Sequence, residues 1–242
     1  MSGHSHFSTI KHKKAIEDEK RGKIFSKLAR MISVVAKEGQ DPEMNPKLRQ
    51  ALDEAKKLNM PKENVERAIK KGAGGTGEEN LEEVVYEAFG PDNIAFIIEG
   101  ITDNKNRTLG EIKQILNHNN GKLASEGSVK WMFGKKGVIA VSNEEQAMNI
   151  EQLELIAIEA GAEDIYWYQE EKILDIYTTP ENLEKVKKNL KDKGIKIESA
   201  SLDWVAKDFI EAGEKEKKTA QKLFEQLDGS EAVQKIYSNL RV

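Results

Sequence analysis

The order of elements is set between residues 137 and 200, in the stretch GVIAVSNEEQAMNIEQLELIAIEAGAEDIYWYQEEKILDIYTTPENLEKVKKNLKDKGIKIESA. Short β-rich runs alternate there with two longer stretches whose apolar residues recur every three to four positions. The pattern predicts strands at 138–141, 165–168, 172–177 and 195–199, and helices at 150–160 and 180–193. The order strand, helix, strand, strand, helix, strand is that of a ferredoxin-like unit. We therefore predict a ferredoxin-like α+β domain at residues 135–200.

A second sheet is predicted from the residues on either side of this domain. Gly90-Pro91-Asp92-Asn93 is a turn between two β-rich runs, which indicates a hairpin. The elements expected around it are strands at 84–89, 94–101, 129–133, 202–206 and 233–237 and helices at 106–117 and 217–227. The N-terminal part of this set is too small to close a layer, so the C-terminal part is expected to return and complete it. We predict a discontinuous α+β domain, 78–134 plus 201–242, in which the ferredoxin-like domain is inserted.

The first 77 residues follow a helical pattern. One apolar stripe covers residues 18–37, Asn45 caps a second helix that has Pro46 at its first position, and Pro61 starts a third helix. The glycine-rich run 72–77 matches the spacing of a dinucleotide fingerprint, but it follows a helix rather than a strand and indicates a linker. We predict a three-helix domain at 1–77, with a flexible N-terminal arm and a glycine-rich linker.

Charge is distributed unevenly along the chain. The first 75 residues carry 17 Lys and Arg against 10 Asp and Glu, whereas the remaining residues carry 21 against 32. A basic segment on an acidic body attracts phosphate at one end and limits non-specific contact with nucleic acid at the other. The pattern favours a nucleic-acid partner, and it leaves the acidic domains as a place where a protein partner could bind.

Composition excludes several classes of function. The chain has no Cys, so a disulfide framework, a thiol nucleophile and a thiolate metal site are excluded. No apolar run approaches the ~20 residues that span a bilayer, and we expect a cytoplasmic protein without a membrane partner. No nucleophile with a base and no carboxylate pair stands out, so we predict no enzyme activity and no cofactor. His4, His6 and His12 could hold a metal, but we interpret them as phosphate or base contacts.

The candidate nucleic-acid-binding residues are basic or imidazole side chains in the arm, the first helix, the end of the third helix and the polar block 102–108. They are His4, His6, Lys11, His12, Lys13, Lys14, Arg21, Lys23, Lys27, Arg30, Lys70, Lys71, Lys105 and Arg107. Two alternatives remain open. The basic helix could be the solvated face of a bundle, and the polar block could serve as a turn and helix cap.

Several short motifs together resemble the YebC/PmpR family. They are Gly3-His4-Ser5, Ile10-Lys11-His12-Lys13-Lys14, Arg21-Gly22-Lys23-Ile24-Phe25-Ser26-Lys27, Asn59-Met60-Pro61, Ile69-Lys70-Lys71-Gly72, Tyr86-Glu87, Thr102-Asp103-Asn104-Lys105-Asn106-Arg107-Thr108 and Gly127-Ser128-Val129. The resemblance implies a helical first domain, two α+β domains and a nucleic-acid-linked role without enzyme activity. The chain departs from the family where His6-Phe7 replaces a pair ending in Trp, and where Ala88 replaces Gly. Phe7 keeps a stacking face but has no indole N–H.

Three functions are compatible with these observations. Members of the family are described as probable transcriptional regulators, which favours a cytoplasmic DNA-binding regulator. Some branches are linked to ribosome-associated translation, which makes a translation factor that binds rRNA the alternative. No recognition helix with base-reading residues stands out in the sequence, which favours recognition through shape and backbone. A third class is an interaction scaffold that uses the acidic domains alone.

Overall fold

The computed structural model describes residues 18–74, 81–143, 148–168 and 172–241. A group of helices is followed by two four-stranded antiparallel sheets with helices packed on them. This architecture confirms the predicted α+β class with an N-terminal helical region. The division into domains at residues 77, 134 and 200 stays a prediction.

The helical region consists of α1 (Asp18–Val35), α2 (Pro46–Lys57) and α3 (Lys62–Gly72), with a short 3-10 turn after α1. The predicted cap is confirmed, because the Asn45 side chain accepts a hydrogen bond from the Leu48 backbone N–H at 3.0 Å. The apolar stripes meet in one core. Its buried members are Leu28, Ile32, Ala36, Leu48, Ala51, Ala55, Met60 and Ala68.

Gly72 brings α3 against α1. A Cβ atom at this position would lie 2.1 Å from the Ser33 carbonyl oxygen, a distance that no side chain can occupy. The Ser33 hydroxyl also donates to the Ala68 carbonyl at 2.9 Å. Glycine is therefore required at position 72 because two helices approach closely there. The sequence had indicated only that the helix ends at this residue.

The first sheet has the strand order β3-β1-β2-β8 and combines residues from both ends of the remaining chain. Its strands are β1 (Glu82–Phe89), β2 (Ala95–Thr102), β3 (Lys122–Leu123) and β8 (Val233–Ser238). The helices α4 (Lys105–His118) and α7 (Glu214–Asp228) supply residues to the core on one face of this sheet. The predicted hairpin and the return of the C-terminal residues are both confirmed.

The second sheet has the order β5-β6-β4-β7, which is the ferredoxin-like arrangement of its four strands. The elements are β4 (Phe133–Ser142), α5 (Ile150–Ala160), β5 (Asp164–Tyr168), β6 (Ile173–Thr178), α6 (Leu183–Asp192) and β7 (Ser199–Ala206). The two helices cover one face, where the buried residues of β4 and β6 pack against them.

Three strand predictions differ from the structure. Residues 195–198 connect α6 to the sheet, and the strand at 199–206 pairs with β4, so the strand expected at 202–206 belongs to the second sheet. The Ile195 N–H donates to the Leu190 carbonyl at the end of α6, so this N–H is not available for a hydrogen bond between strands. The strand expected at 129–133 is a loop with a 3-10 turn, and only Phe133 begins a strand. An apolar residue in a loop gives the same signal as one in a strand.

Within the described residues, no helix is both long enough and apolar enough to cross a membrane.

Candidate nucleic-acid interface

The N-terminal part of the predicted interface falls on residues before α1. His4, His6, Lys11, His12, Lys13 and Lys14 lie outside the described residues. The remaining candidates fall into three places, which are α1, the end of α3 and the start of α4.

The start of α1 presents cations to solvent. Arg21 and Lys23 have exposed side chains, and the Arg21 guanidinium lies 5.9 Å from the centre of the Phe25 ring. This contact orients the guanidinium along the helix without neutralising it. The acidic residues 17–19 separate these two side chains from the basic run 11–14 in the sequence. Because Arg21 and Lys23 are exposed, this end of α1 is accessible to phosphate groups.

The middle of α1 faces the body of the molecule instead. The Lys27 ammonium donates to the Asp228 carbonyl at 2.6 Å and to its carboxylate at 2.9 Å, at the end of α7. The Arg30 guanidinium donates to the Glu231 carboxylate at 3.2 Å and to the Ile101 carbonyl at 3.4 Å. These two predicted phosphate contacts therefore join the helical region to the first sheet.

Further polar contacts extend this docking to both sheets. The Lys37 ammonium donates to the Leu81 carbonyl at 2.7 Å, just before β1. On α2, Gln50 donates to the Ala200 carbonyl at 3.1 Å and Lys57 donates to the Glu198 carbonyl at 3.2 Å, near the start of β7. The basic region and the acidic body thus complement each other within one molecule.

A buried polar cluster joins the two sheets. The Asp203 carboxylate accepts from the Lys235 ammonium at 2.8 Å and from the Tyr237 hydroxyl at 2.9 Å. Glu99 accepts from the Trp204 indole N–H at 2.7 Å. Burial alone would lower the pKa of Lys235, but the Asp203 and Glu99 carboxylates outweigh it and raise that pKa. Burial raises the pKa of Tyr237 far above its usual range, and the same two carboxylates add to the rise. These groups hold the fold together.

Asp175 in β6 is the acid that most resembles a catalytic group by its environment. Burial raises the pKa of Asp175 well above its usual range, the Asp203 charge adds to the rise, and a hydrogen bond from Tyr168 opposes it. The side chain has no exposed surface, so it has no access to a substrate. We interpret it as part of the sheet interior.

The polar block before α4 is a helix cap, as one of the two sequence interpretations proposed. The Asn104 side chain accepts from the Arg107 backbone N–H at 3.0 Å, and the Thr102 and Thr108 hydroxyls bond at 2.8 Å. The charged side chains remain at the surface, where Lys105 pairs with a neighbouring glutamate. The Lys105 ammonium contacts the Glu82 carboxylate at 2.6 Å, and the Arg107 guanidinium contacts the Asp103 carboxylate at 2.5 Å.

These two exposed pairs lower the pKa of their acids. The pKa of Glu82 is lowered first by its hydrogen bond from Lys105, and the pKa of Asp103 is lowered first by its hydrogen bond from Arg107. Both cations keep more than half of their side-chain surface exposed, so an external phosphate can compete for them. Their role in binding stays a prediction.

The end of α3 carries the last two candidates. Lys70 is exposed and Lys71 is half-buried, and both lie in the last turn of the helix. A cation in this position interacts favourably with the helix dipole, so it stabilises α3 even without a ligand. The contact of these two lysines with phosphate stays a prediction.

The loop between β3 and β4 contains a surface that the sequence did not reveal. We name residues 124–132 the Trp131 loop. The Glu87 carboxylate on β1 accepts hydrogen bonds from the backbone N–H groups of Gly127 at 2.6 Å, Val129 at 2.6 Å and Lys130 at 2.8 Å. Burial would raise the pKa of Glu87, but these three donors together with the Lys130 charge lower it.

Two motifs noted in the sequence therefore meet in space. Tyr86-Glu87 supplies the carboxylate and Gly127-Ser128-Val129 supplies amides. Two features of the sequence concealed the site. The apolar run at 129–133 resembled a strand, which would place Trp131 in a sheet, and the charged partner lies about 40 residues away on another element.

Among the described residues, no three His, Cys, Asp or Glu side chains come together in a way that could hold a metal ion.

A helical region with an exposed basic end, docked on an acidic body of two sheets, defines a mixed helix-and-sheet protein. Two family models match the chain: the TACO1/YebC protein N-terminal domain over residues 5–75, and the TACO1/YebC second and third domain over residues 81–240. The chain belongs to the TACO1/YebC family, which confirms the resemblance stated from its motifs.

Curated relatives match the whole chain. A protein of Halothermothrix orenii named "probable transcriptional regulatory protein" is 45% identical over 244 residues, which cover 100% of this chain and 96% of the relative. A protein of Prosthecochloris aestuarii with the same name is 46% identical over 241 residues, which cover 99% and 95%. The crystal structure of a conserved hypothetical protein of Aquifex aeolicus superimposes with a TM-score of 0.86 at 42% identity, covering 96% of this chain and 95% of that one.

Proposed function

We propose that this chain is a cytoplasmic, non-enzymatic regulator of gene expression that binds nucleic acid, and that it acts as a DNA-binding transcriptional regulator. The observation that carries the proposal is the exposed start of α1, where Arg21 and Lys23 follow the basic run 11–14 after the acidic residues 17–19. The names of the curated relatives support a role in transcription. A protein partner, where one exists, is assigned to the acidic domains.

The docking contacts define which cations serve this function. Lys27 and Arg30 have carboxylate partners in the body, so they contribute little to an external phosphate contact. The arm and the start of α1 then form the main phosphate-binding surface. Lys70, Lys105 and Arg107 are secondary contacts. The acidic body repels the phosphate backbone and so orients the molecule with its basic end toward it.

The second candidate is a ribosome-associated translation factor that binds rRNA. Two residues of the type that reads base edges in a groove are used internally. Arg49 donates to the Pro42 carbonyl at 2.9 Å and to the Glu43 carbonyl at 2.8 Å, and Gln50 contacts Ala200. With these side chains engaged, α2 offers little for direct reading of a major groove. Recognition through backbone and shape is the usual mode for folded RNA, and this observation favours the alternative.

One fractionation experiment separates the two candidates. Lysate of cells that produce the chain is run on a sucrose gradient at low salt, with and without a ribonuclease that degrades polysomes, and the chain is followed by immunoblot. A transcriptional regulator is expected in the top fractions, and crosslinking should recover defined promoter fragments with it. Migration with ribosomes in both gradients, without enrichment of promoter DNA, would overturn the DNA-binding proposal in favour of the translation factor.

A further inference from the structure

The three tryptophans of the chain are placed differently. The indole N–H of Trp167 donates to Glu154 and that of Trp204 donates to Glu99, both at 2.7 Å, and both rings are partly buried. Trp131 is 67% exposed. Its indole N–H donates to the Ser128 carbonyl at 2.9 Å within its own loop. The indole N–H of this ring therefore has a hydrogen-bond partner, while most of the residue's surface faces solvent.

The Trp131 loop is held rigidly under this ring. Glu87 fixes three backbone N–H groups of the loop, as described above, and the Glu87 carbonyl accepts from the Ala124 N–H at 2.8 Å. Val129 is fully buried in a core that includes Phe133 and Tyr237. A solvent-facing aromatic ring on a fixed loop loses little conformational entropy when a flat ligand stacks on it.

One lysine is bound to the residue that carries the ring. The Lys207 ammonium donates to the Trp131 carbonyl at 2.8 Å, and its side chain is exposed. The ammonium groups of Lys130 and Lys135 lie over a different ring, 5.5 Å and 4.5 Å from the centre of Trp204, and Lys135 also pairs with Glu99 at 3.0 Å. An exposed aromatic ring beside a lysine suits single-stranded nucleic acid, because the ring stacks on a base and the cation contacts the backbone.

Acidic residues limit the electrostatic part of this site. Glu126 lies in the loop and Asp208 follows Lys207 in the sequence, and both are exposed. The site therefore carries both signs of charge, and its attraction for a ligand comes mainly from the ring. This separates it from the basic arm, whose attraction is electrostatic and depends strongly on salt.

We propose that Trp131 stacks on an unpaired base of single-stranded nucleic acid, with Lys207 beside it to contact the backbone. This inference rests on the proposed nucleic-acid-binding function and adds a second contact, far from the arm in the sequence. It selects strands with accessible bases, since a base inside a duplex is stacked on its neighbours and has no free face for the indole.

The test uses the full chain and two labelled DNA probes, a 12-nucleotide single strand of thymidines and a blunt duplex of 12 base pairs. Binding is measured by fluorescence anisotropy at 50 and 200 mM salt. Trp131→Ala should weaken binding of the single strand about 5- to 100-fold. The factor should be similar at both salt concentrations, and binding of the duplex should be unchanged. Trp131→Phe keeps a stacking face and should lose less than about threefold.

The matched control is Leu155→Ala, which removes an exposed apolar side chain elsewhere in the molecule, on α5. This variant should bind as the unaltered chain does. Circular dichroism verifies that each variant is folded. Unchanged binding of the single strand by Trp131→Ala would overturn the proposal. Contact with a protein would then be the remaining role for the exposed ring. An equal loss on both probes would also overturn it. If the unaltered chain bound neither probe at 50 mM salt, the proposed function would fail as well, which is a separate result.

Discussion

The two halves of α1 carry the same types of side chain and use them differently. Arg21 and Lys23 at its start extend into solvent, whereas Lys27 and Arg30, two turns further on, bind Asp228 and Glu231 in the body. A run of cations in a sequence therefore has two classes of partner, one inside the molecule and one outside. Cations with partners in the body should affect the free energy of unfolding, and cations exposed at the start of α1 should affect binding.

Reversing the charge of the arm should give the largest effect. Lys11→Glu, Lys13→Glu and Lys14→Glu together replace attraction by repulsion where the phosphate backbone is expected, and affinity for nucleic acid should fall on the order of a hundredfold at ~0.1 M salt. The melting temperature should stay unchanged. Anisotropy and thermal denaturation measure the two quantities.

A matched control lies on α6. Lys185→Glu, Lys188→Glu and Lys191→Glu make the same change of charge at exposed positions on the second sheet's helix. If this control weakened binding as much as the arm variant did, the net charge of the chain rather than the arm would determine affinity. The position of a cation on α1 would then not predict its effect on binding.

Carboxylates should also differ according to whether their partners are inside the molecule or at its surface. Replacing Glu87 is expected to give the next largest effect, which is a loss of stability. Glu87→Gln removes the charge that holds three backbone N–H groups of the Trp131 loop, which should lower the free energy of unfolding by about 2 kcal/mol at pH 7. Glu82→Gln at the surface removes only an exposed pair with Lys105 and should leave the free energy of unfolding nearly unchanged. Urea denaturation measures both.

The pH dependence of the Glu87 effect has a definite sign. The pKa of Glu87 is lower in the folded chain than in the unfolded chain, so its stabilisation is complete above the unfolded value of about 4.3 and is lost as the pH falls through the folded value. The difference between Glu87→Gln and the unaltered chain should therefore be largest at neutral pH and shrink below about pH 4. A difference that grew in acid would contradict the assigned role of this carboxylate.

Removing the docking lysine should give a slightly smaller loss of stability. Lys27→Ala leaves Asp228 without its cation in a contact where the lysine side chain is only 16% exposed, and the free energy of unfolding should fall by about 1.5 kcal/mol. A double-mutant cycle with Asp228→Ala isolates the pair from the rest of each side chain. A coupling energy near zero would show that the Asp228 carboxylate does not help to hold the helical region to the body, since the bond from Lys27 to the Asp228 carbonyl survives Asp228→Ala.

These contacts mark the limit of what the sequence could predict. Periodicity placed α5 at its observed bounds, and cap chemistry placed the start of α2, because both signals are local. The partner of Lys27 lies 201 residues away, so no local pattern distinguishes it from Arg21. The Trp131 loop was missed for the same reason, since its apolar residues suggested a strand and the carboxylate that shapes it belongs to β1. Charge counts indicated a nucleic-acid partner, but they could not show that part of the charge is used for docking.

The smallest effect is the one that distinguishes the two halves of α1 most directly. Arg21→Ala and Lys23→Ala each remove one exposed cation, so affinity should fall only a few-fold at ~0.1 M salt, and the slope of log affinity against log salt should decrease by about 1 for each phosphate that is no longer neutralised. Lys27→Ala should leave that slope unchanged, because its ammonium already has a carboxylate partner. If the slope changed equally for all three variants, the Lys27–Asp228 pair would have to open on binding, and the helical region would have to move away from the body to bind nucleic acid.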